Sequence, residues 1–187
     1  MTDYTHAELQ DALEALSDNT LAATEYEVAR AVVIAATLAG RTVATGESLT
    51  AGLIASTLAT IPGASKVLRG GIVAYASDCK ASLLGVPQST LDRFGVISTP
   101  VAEAMAVGAR AAASADYGLA CTGVAGPEPQ DGHPVGEVHV AVAGDGSVRT
   151  HQVSLAGSRD DIRHATVLVV LGMLLDALLP LVDVAGE

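Results

Sequence analysis

The order of segments along the chain is the feature that most restricts its fold. Short apolar runs, each ending in a polar or glycine-rich turn, alternate with stretches of helical spacing. Residues 41–45, 70–76, 117–121, 136–143 and 148–155 read as strands. Residues 22–39 carry Val28, Ala31, Val32 and Ala35 at helical spacing behind Leu21, and Gly40 stops them. Further helices are read up to residue 59 and over 77–85, 89–94, 98–115 and 158–179. Ser77 or Asp78 can cap the third of these and Ser89 the fourth, and Pro100 stands near the first position of the fifth. Gly144-Asp145-Gly146 reads as a hairpin turn, which requires an antiparallel pair. The pattern predicts an α/β fold: a single layered domain with a mixed, mostly parallel sheet flanked by helices, and a C-terminal β-hairpin followed by a long helix. At ~150 residues per domain, a chain of 187 residues is one domain. Residues 1–20 read as a polar leader with some helical character and residues 21–187 as that domain.

Aromatic residues make up 3% of the chain, so the core must be built from Val, Leu, Ile and Ala. With 19 glycines added, elements can approach closely. Ten basic residues stand against 21 acidic ones, a net charge of −11, which gives no attraction for nucleic acid. The N-terminal stretch is acidic and lacks the apolar centre of a secretion signal. The apolar run over 165–175 is stopped by Asp176, short of the ~18 residues of a membrane span, and reads as a buried helix. A cytoplasmic protein without a membrane partner is expected. Cys79 and Cys121 form no CxxC pair and read as two buried thiols, and the five histidines show no HExxH spacing, so no metal or other cofactor is expected. The apolar fraction of 50% and the alanine-rich helices make a homodimer or higher homo-oligomer the expected state.

Three segments put polar groups where strands end, the place where open α/β sheets bind ligands. In Gly46-Glu47-Ser48-Leu49-Thr50-Ala51-Gly52, helix-start N–H groups can hold an anion or oxyanion, and Ser48 and Thr50 are each a nucleophile, a ligand contact or a simple cap. In the segment from Tyr75 to Lys80, the lysine is either a solvated surface residue or a desolvated neutral base for a serine. From Cys121 to Gly136, Thr122, Gly123 and Gly126 either shape a ligand loop or serve the backbone alone. Arg159 and Arg163, four apart, share a helix face that can bind phosphate or meet Asp160 and Asp161.

Taken in order, TGESLTAGLIASTLATIPGAS, RGGIVAYASDCKASLLGV, LDRFGVIS and CTGVAGP with HPVGEVHVAVA resemble the C-terminal domain of the competence/damage-inducible protein CinA, a family that includes stand-alone nicotinamide-nucleotide amidases. The resemblance runs over roughly residues 22–179. It implies an amidohydrolase that converts nicotinamide mononucleotide to nicotinate mononucleotide and ammonia. By the same resemblance Ser48 is the nucleophile, Lys80 its base and Tyr75 an orienting or proton-relaying group. Glu47, Thr50, Gly52, Thr122, Gly123, Gly126, Arg159 and Arg163 are expected at the nucleotide, with the phosphate near Arg163 or the Gly123–Gly126 loop. The chain departs from the family pattern at Leu49-Thr50-Ala51-Gly52, where Ala51 adds a methyl group, and at Glu128-Pro129-Gln130-Asp131-Gly132, which replaces a glycine run and is followed by His133. These departures keep a second reading in view, a ligand-binding or interaction domain with weakened or lost catalysis.

Overall fold

The computed structural model describes residues 4–17, 25–144 and 146–182. The expected Leu21, the first residues of the helix read over 22–39, and Asp145 of the expected hairpin turn lie outside them. In chain order the elements are α1 (His6–Ser17), α2 (Glu25–Leu38), β1 (Val43–Glu47), α3 (Leu53–Ala59), β2 (Leu68–Val73), α4 (Ser77–Leu84), α5 (Gln88–Phe94), α6 (Thr99–Ala113), β3 (Tyr117–Gly123), β4 (Glu137–Gly144), β5 (Ser147–Ser154) and α7 (Arg159–Leu178). The five strands form one sheet in the order β2-β1-β3-β4-β5. β1 runs parallel to both β2 and β3, while β3–β4 and β4–β5 are antiparallel. The sheet is therefore mixed, as expected, but its parallel and antiparallel pairings are equal in number. Gly144 pairs with Ser147, so β4 and β5 close the expected C-terminal hairpin ahead of α7.

Side-chain alternation along the strands separates two cores. On one face Val43, Tyr117, Leu119, Cys121, Val138 and Val140 pack with buried residues of α1, α2, α3 and α7. On the other, Ala120, Ala141 and Ala143 meet Leu84, Leu91, Val101, Met105 and Ala109 of α4, α5 and α6. The second face is lined with small residues for a physical reason. A Cβ on Gly118 would stand 2.0 Å from the Ala106 carbonyl oxygen, and one on Gly108 would stand 1.8 Å from that of Leu84. Backbone contact between α6, the sheet and α4 thus replaces the aromatic packing this chain lacks.

Two expectations change. The polar leader contains α1, whose Leu9 and Ala12 are fully buried in the first core, and Tyr4 donates its hydroxyl to the Pro62 carbonyl. The stretch Arg159–Leu181 is long and apolar enough to cross a bilayer by length and composition, with a mean hydropathy of 2.0 over an 18-residue window, where the sequence reading stopped it at Asp176. Half of that window is buried inside the fold and α7 packs on α2 and β4, so it serves as a core helix. Capping also differs. α4 begins after Ala76 and α5 after Pro87 with no side-chain cap, so neither Ser77, Asp78 nor Ser89 has that role.

Candidate functional site

β1 is the switch point of the sheet: the chain leaves it to form β2 on one side and later β3 on the other. The carboxyl ends of these three parallel strands open together, which is where a crevice forms. The ladder continues past β1 at both edges. The Ser48 N–H donates to the Cys121 carbonyl over 3.2 Å, and the Ala74 N–H donates to the Glu47 carbonyl over 2.8 Å. Ser48 is held between the two neighbouring strand ends by these bonds.

Lys80 projects from α4 into the same place. It is 2% exposed, and its Nζ donates to Ser48 Oγ over 3.0 Å and to the Ala74 carbonyl over 3.3 Å. Burial pushes its pKa below the ordinary 10.5, an effect partly offset by the nearby thiols of Cys121 and Cys79. Of the two readings left open for this lysine, a solvated surface residue is thus excluded. Ser48 is not a helix cap either, because the N-cap of α3 is Gly52. Cys121, fully buried, is pushed up to about 11 by desolvation first and by Glu47 second, so its thiol stays protonated and is no competing nucleophile.

Ser48 and Lys80 lie on the inner wall of a cavity of about 170 Å³. Thr122 and Gly123, at the end of β3, and Gly126, on the loop that follows it, line it too. Thr122 donates its hydroxyl to the Val96 carbonyl over 2.7 Å, so it fixes the wall formed by Val96 and Ile97. Tyr75 and Arg159 stand at the exposed side. Arg159 donates to the Tyr75 hydroxyl and to the Gly126 carbonyl, each over 2.6 Å. Tyr75 is 55% exposed and its hydroxyl is tied to that arginine, not to Ser48 or Lys80, so the structure shows no relay through it.

Four residues expected at the substrate are placed elsewhere. Glu47 is fully buried and collects the donors of the α3 start. Its Oε2 accepts from Thr50 Oγ1 (2.7 Å), Gly52 N (2.9 Å) and Ile54 N (3.0 Å), and its Oε1 accepts from Thr45 Oγ1 (2.8 Å) and Ala55 N (2.9 Å). Thr50 and Gly52 are therefore partners of Glu47, and none of the three lines the cavity. Arg163 donates to the Thr50 carbonyl over 3.0 Å and pairs with Asp160 at 3.2 Å, away from the cavity lining. Ala51 has a positive φ of 54°, is exposed and does not line the cavity, so its methyl group obstructs nothing there. The cavity also takes Val96 and Ile97, which sequence reasoning did not single out, together with Ser77, read there as a cap, and Gln130, read there as part of the departure from the family pattern. LDRFGVIS carried a signal for Val96 and Ile97, but the fold alone brings that loop across to β3.

The pattern of the CinA C-terminal domain matches residues 25–178. The chain belongs to the CinA C-terminal domain family. A CinA-like protein of Frankia casuarinae is 48% identical over 132 residues, covering 71% of this chain and 30% of that protein. A competence-damage inducible protein of Streptococcus thermophilus is 45% identical over 141 residues, 75% of this chain and 33% of its own length. The chain thus spans about a third of these curated relatives. Among solved structures, the competence/damage inducible protein CihA of Agrobacterium tumefaciens superposes with a TM-score of 0.79 at 38% identity, covering 84% of this chain and 98% of that one. A CinA superfamily protein of Escherichia coli superposes with a TM-score of 0.81 at 29% identity, covering 95% of this chain and all of that one. The CinA-like domain thus occurs as a solved chain of its own size.

Proposed function

We propose that this CinA-like domain is an amidohydrolase that releases ammonia from the carboxamide of a nicotinamide nucleotide, forming the nicotinate product. The observation that carries this reading is the 3.0 Å contact between a buried lysine amine and a serine hydroxyl at the wall of a cavity. A lysine whose pKa is lowered by burial can exist as the free amine that a serine needs as its base.

The reaction then runs in two halves. Lys80 Nζ takes the hydroxyl proton as Ser48 Oγ bonds to the carboxamide carbon. The tetrahedral intermediate collapses, the C–N bond breaks, and Lys80 returns the proton to the leaving nitrogen, which departs as ammonia. Water then attacks the acyl-serine, loses a proton to Lys80, and frees the carboxylate while Ser48 regains its proton. No external oxidant or reductant enters this balance.

Ammonia release from nicotinamide mononucleotide tests the reading. Wild-type protein is expected to release it, Ser48→Ala to fall to background, and Lys80→Met to lose about 10²–10⁴-fold in kcat. Because the Lys80 pKa is lowered, kcat/KM should rise with pH along a limb that ends below 10.5, and Lys80→Met should abolish that limb. Turnover by Ser48→Ala equal to wild type overturns the mechanism. A folded wild-type protein that releases no ammonia favours the second reading, a binding domain with lost catalysis, to which the altered Glu128–Gln130 wall belongs.

A further inference from the structure

We propose that the face formed by α6 with the ends of α4 and α5 docks a second copy of this chain, α6 against α6 in antiparallel register. An apolar groove of about 690 Å³ runs along this face and shares no residue with the cavity of Ser48 and Lys80. α6 turns Val101, Ala102, Met105, Ala106 and Ala109 into the second core, and the groove lies on another side of the helix. Three of the seven large apolar side chains exposed among the described residues border it: Leu83, Phe94 and Val107, at 49, 43 and 48%. The chain has a single phenylalanine and places it here, where the Arg93 guanidinium stacks 4.9 Å from the ring centre. A chain this poor in aromatic residues that leaves one at the edge of an apolar groove carries the anchor of an interface on its surface.

The spacing along α6 says what fits. Pro100, Ala104, Val107 and Ala111 all line the groove and recur at intervals of four, three and four, the seam of a coiled coil. Glu103 and Arg110 are seven residues apart, so both flank this seam on the same side. On the other flank stand Val101 and Gly108, which carry no charge. A parallel partner helix would set each charged flank against the uncharged one. An antiparallel partner sets charged flank against charged flank. Glu103 then meets the partner's Arg110 and Arg110 meets the partner's Glu103, while Ala104 faces the partner's Val107 and Pro100 the partner's Ala111. Among the described residues neither charged side chain forms an ion pair, and Arg110 only adds to the field at Asp116.

This complementarity is of the surface with itself, which is the requirement for a two-fold contact. Such a contact closes after two copies and covers Leu83, Phe94 and Val107 of both. An anionic lipid surface is a poorer match, because the chain carries a net charge of −11 and Glu103 lines the groove.

Sedimentation of the wild-type protein between about 1 and 100 μM tests this, and a reversible species of twice the 18.8 kDa chain mass is expected. Val107→Asp places one carboxylate per copy in the seam and should leave a monomer with unchanged circular dichroism. Glu103→Arg alone and Arg110→Glu alone each turn two attractions into two repulsions and should weaken the dimer about tenfold. An equimolar mixture of these two variants restores both pairs, so the mixture should dimerise as the wild type does. Rescue on mixing cannot come from chains that fail to fold. A protein that stays monomeric throughout overturns the proposal, whether or not it binds phosphatidylcholine vesicles through the same groove. A dimer that tolerates Val107→Asp joins through another face and overturns it too. Dissociation by Val107→Asp without rescue by the mixture overturns the antiparallel register, and with it the proposal.

Discussion

Glu47 and Ser48 are neighbours in sequence with opposite duties, and the parity of an extended chain explains why. Glu47 lies on the same side of β1 as Thr45, which donates to it, while Ser48 turns to the other side and meets Lys80. A carboxylate with no exposed surface survives there because five donors converge on it, two of them helix-start N–H groups of α3. Glu47→Ala should strip those buried donors of their acceptor and cost about 3–5 kcal/mol in chemical denaturation. Glu47→Gln should cost less, because one oxygen remains. A Glu47→Ala protein of unchanged stability with a raised KM would instead return Glu47 to the substrate. The motif in the sequence made this residue a candidate ligand because it cannot show which way a side chain points at a strand end.

At the scale of elements, the passage from β1 to α3 is shaped by backbone conformations that a reading of side chains passes over. Ala51 and Gly52 are both left-handed, with φ of 54° and 96°. For an L-residue that conformation costs about 1–2 kcal/mol, whereas glycine adopts it freely but loses more entropy on folding. Ala51→Gly should therefore stabilise the protein by about 0.5–1 kcal/mol in urea unfolding and leave turnover unchanged, since Ala51 does not line the cavity. A destabilised variant would show that the methyl group makes a contact outweighing the strain. A similar matter of one turn separates Arg159 from Arg163. Helical spacing correctly places them on one face of α7, but ~6 Å along the axis is enough to send the first to the cavity mouth and the second to the Thr50 carbonyl.

For the whole molecule, the titrating groups act in two separate pH ranges. The pKa of Asp116 is lowered chiefly by the Thr42 hydroxyl, that of Glu137 by His133, and that of Asp161 by Ser158, from ordinary values of 3.8, 4.5 and 3.8. Groups of this kind add stability that is present above those ordinary values and disappears as pH falls through the lowered ones. Lys80 works in the opposite range. Its lowered pKa means that the unfolded chain holds the proton longer, so stability rises with pH between the lowered value and 10.5. The urea midpoint should fall between pH 5 and 3, and its alkaline rise from Lys80 should be confined below about pH 9, above which Cys121, raised from 9.0 to about 11, removes stability. Lys80→Met should remove only the alkaline rise, and its persistence in that variant would assign the rise to another group.

The layered α/β class and the C-terminal strand pair were legible in the local periodicity of the sequence, whereas Ser48 and Lys80 were linked only through the resemblance to the CinA C-terminal domain, and their 3.0 Å contact was decided by the fold. Close packing was also implied by composition, and Gly118 and Gly108 show the backbone contacts it permits. Burial and direction were decided only by tertiary structure. Leu9 and Ala12 looked like part of a polar leader until the surface of α2 and the first core covered them. The parallel and antiparallel halves of the sheet came out equal because β3, in its centre, pairs with β1 on one edge and β4 on the other. Whether a polar side chain at a strand end faces the ligand cavity or fills a helix start depends on contacts from residues far away in the chain, and linear spacing carries no record of them.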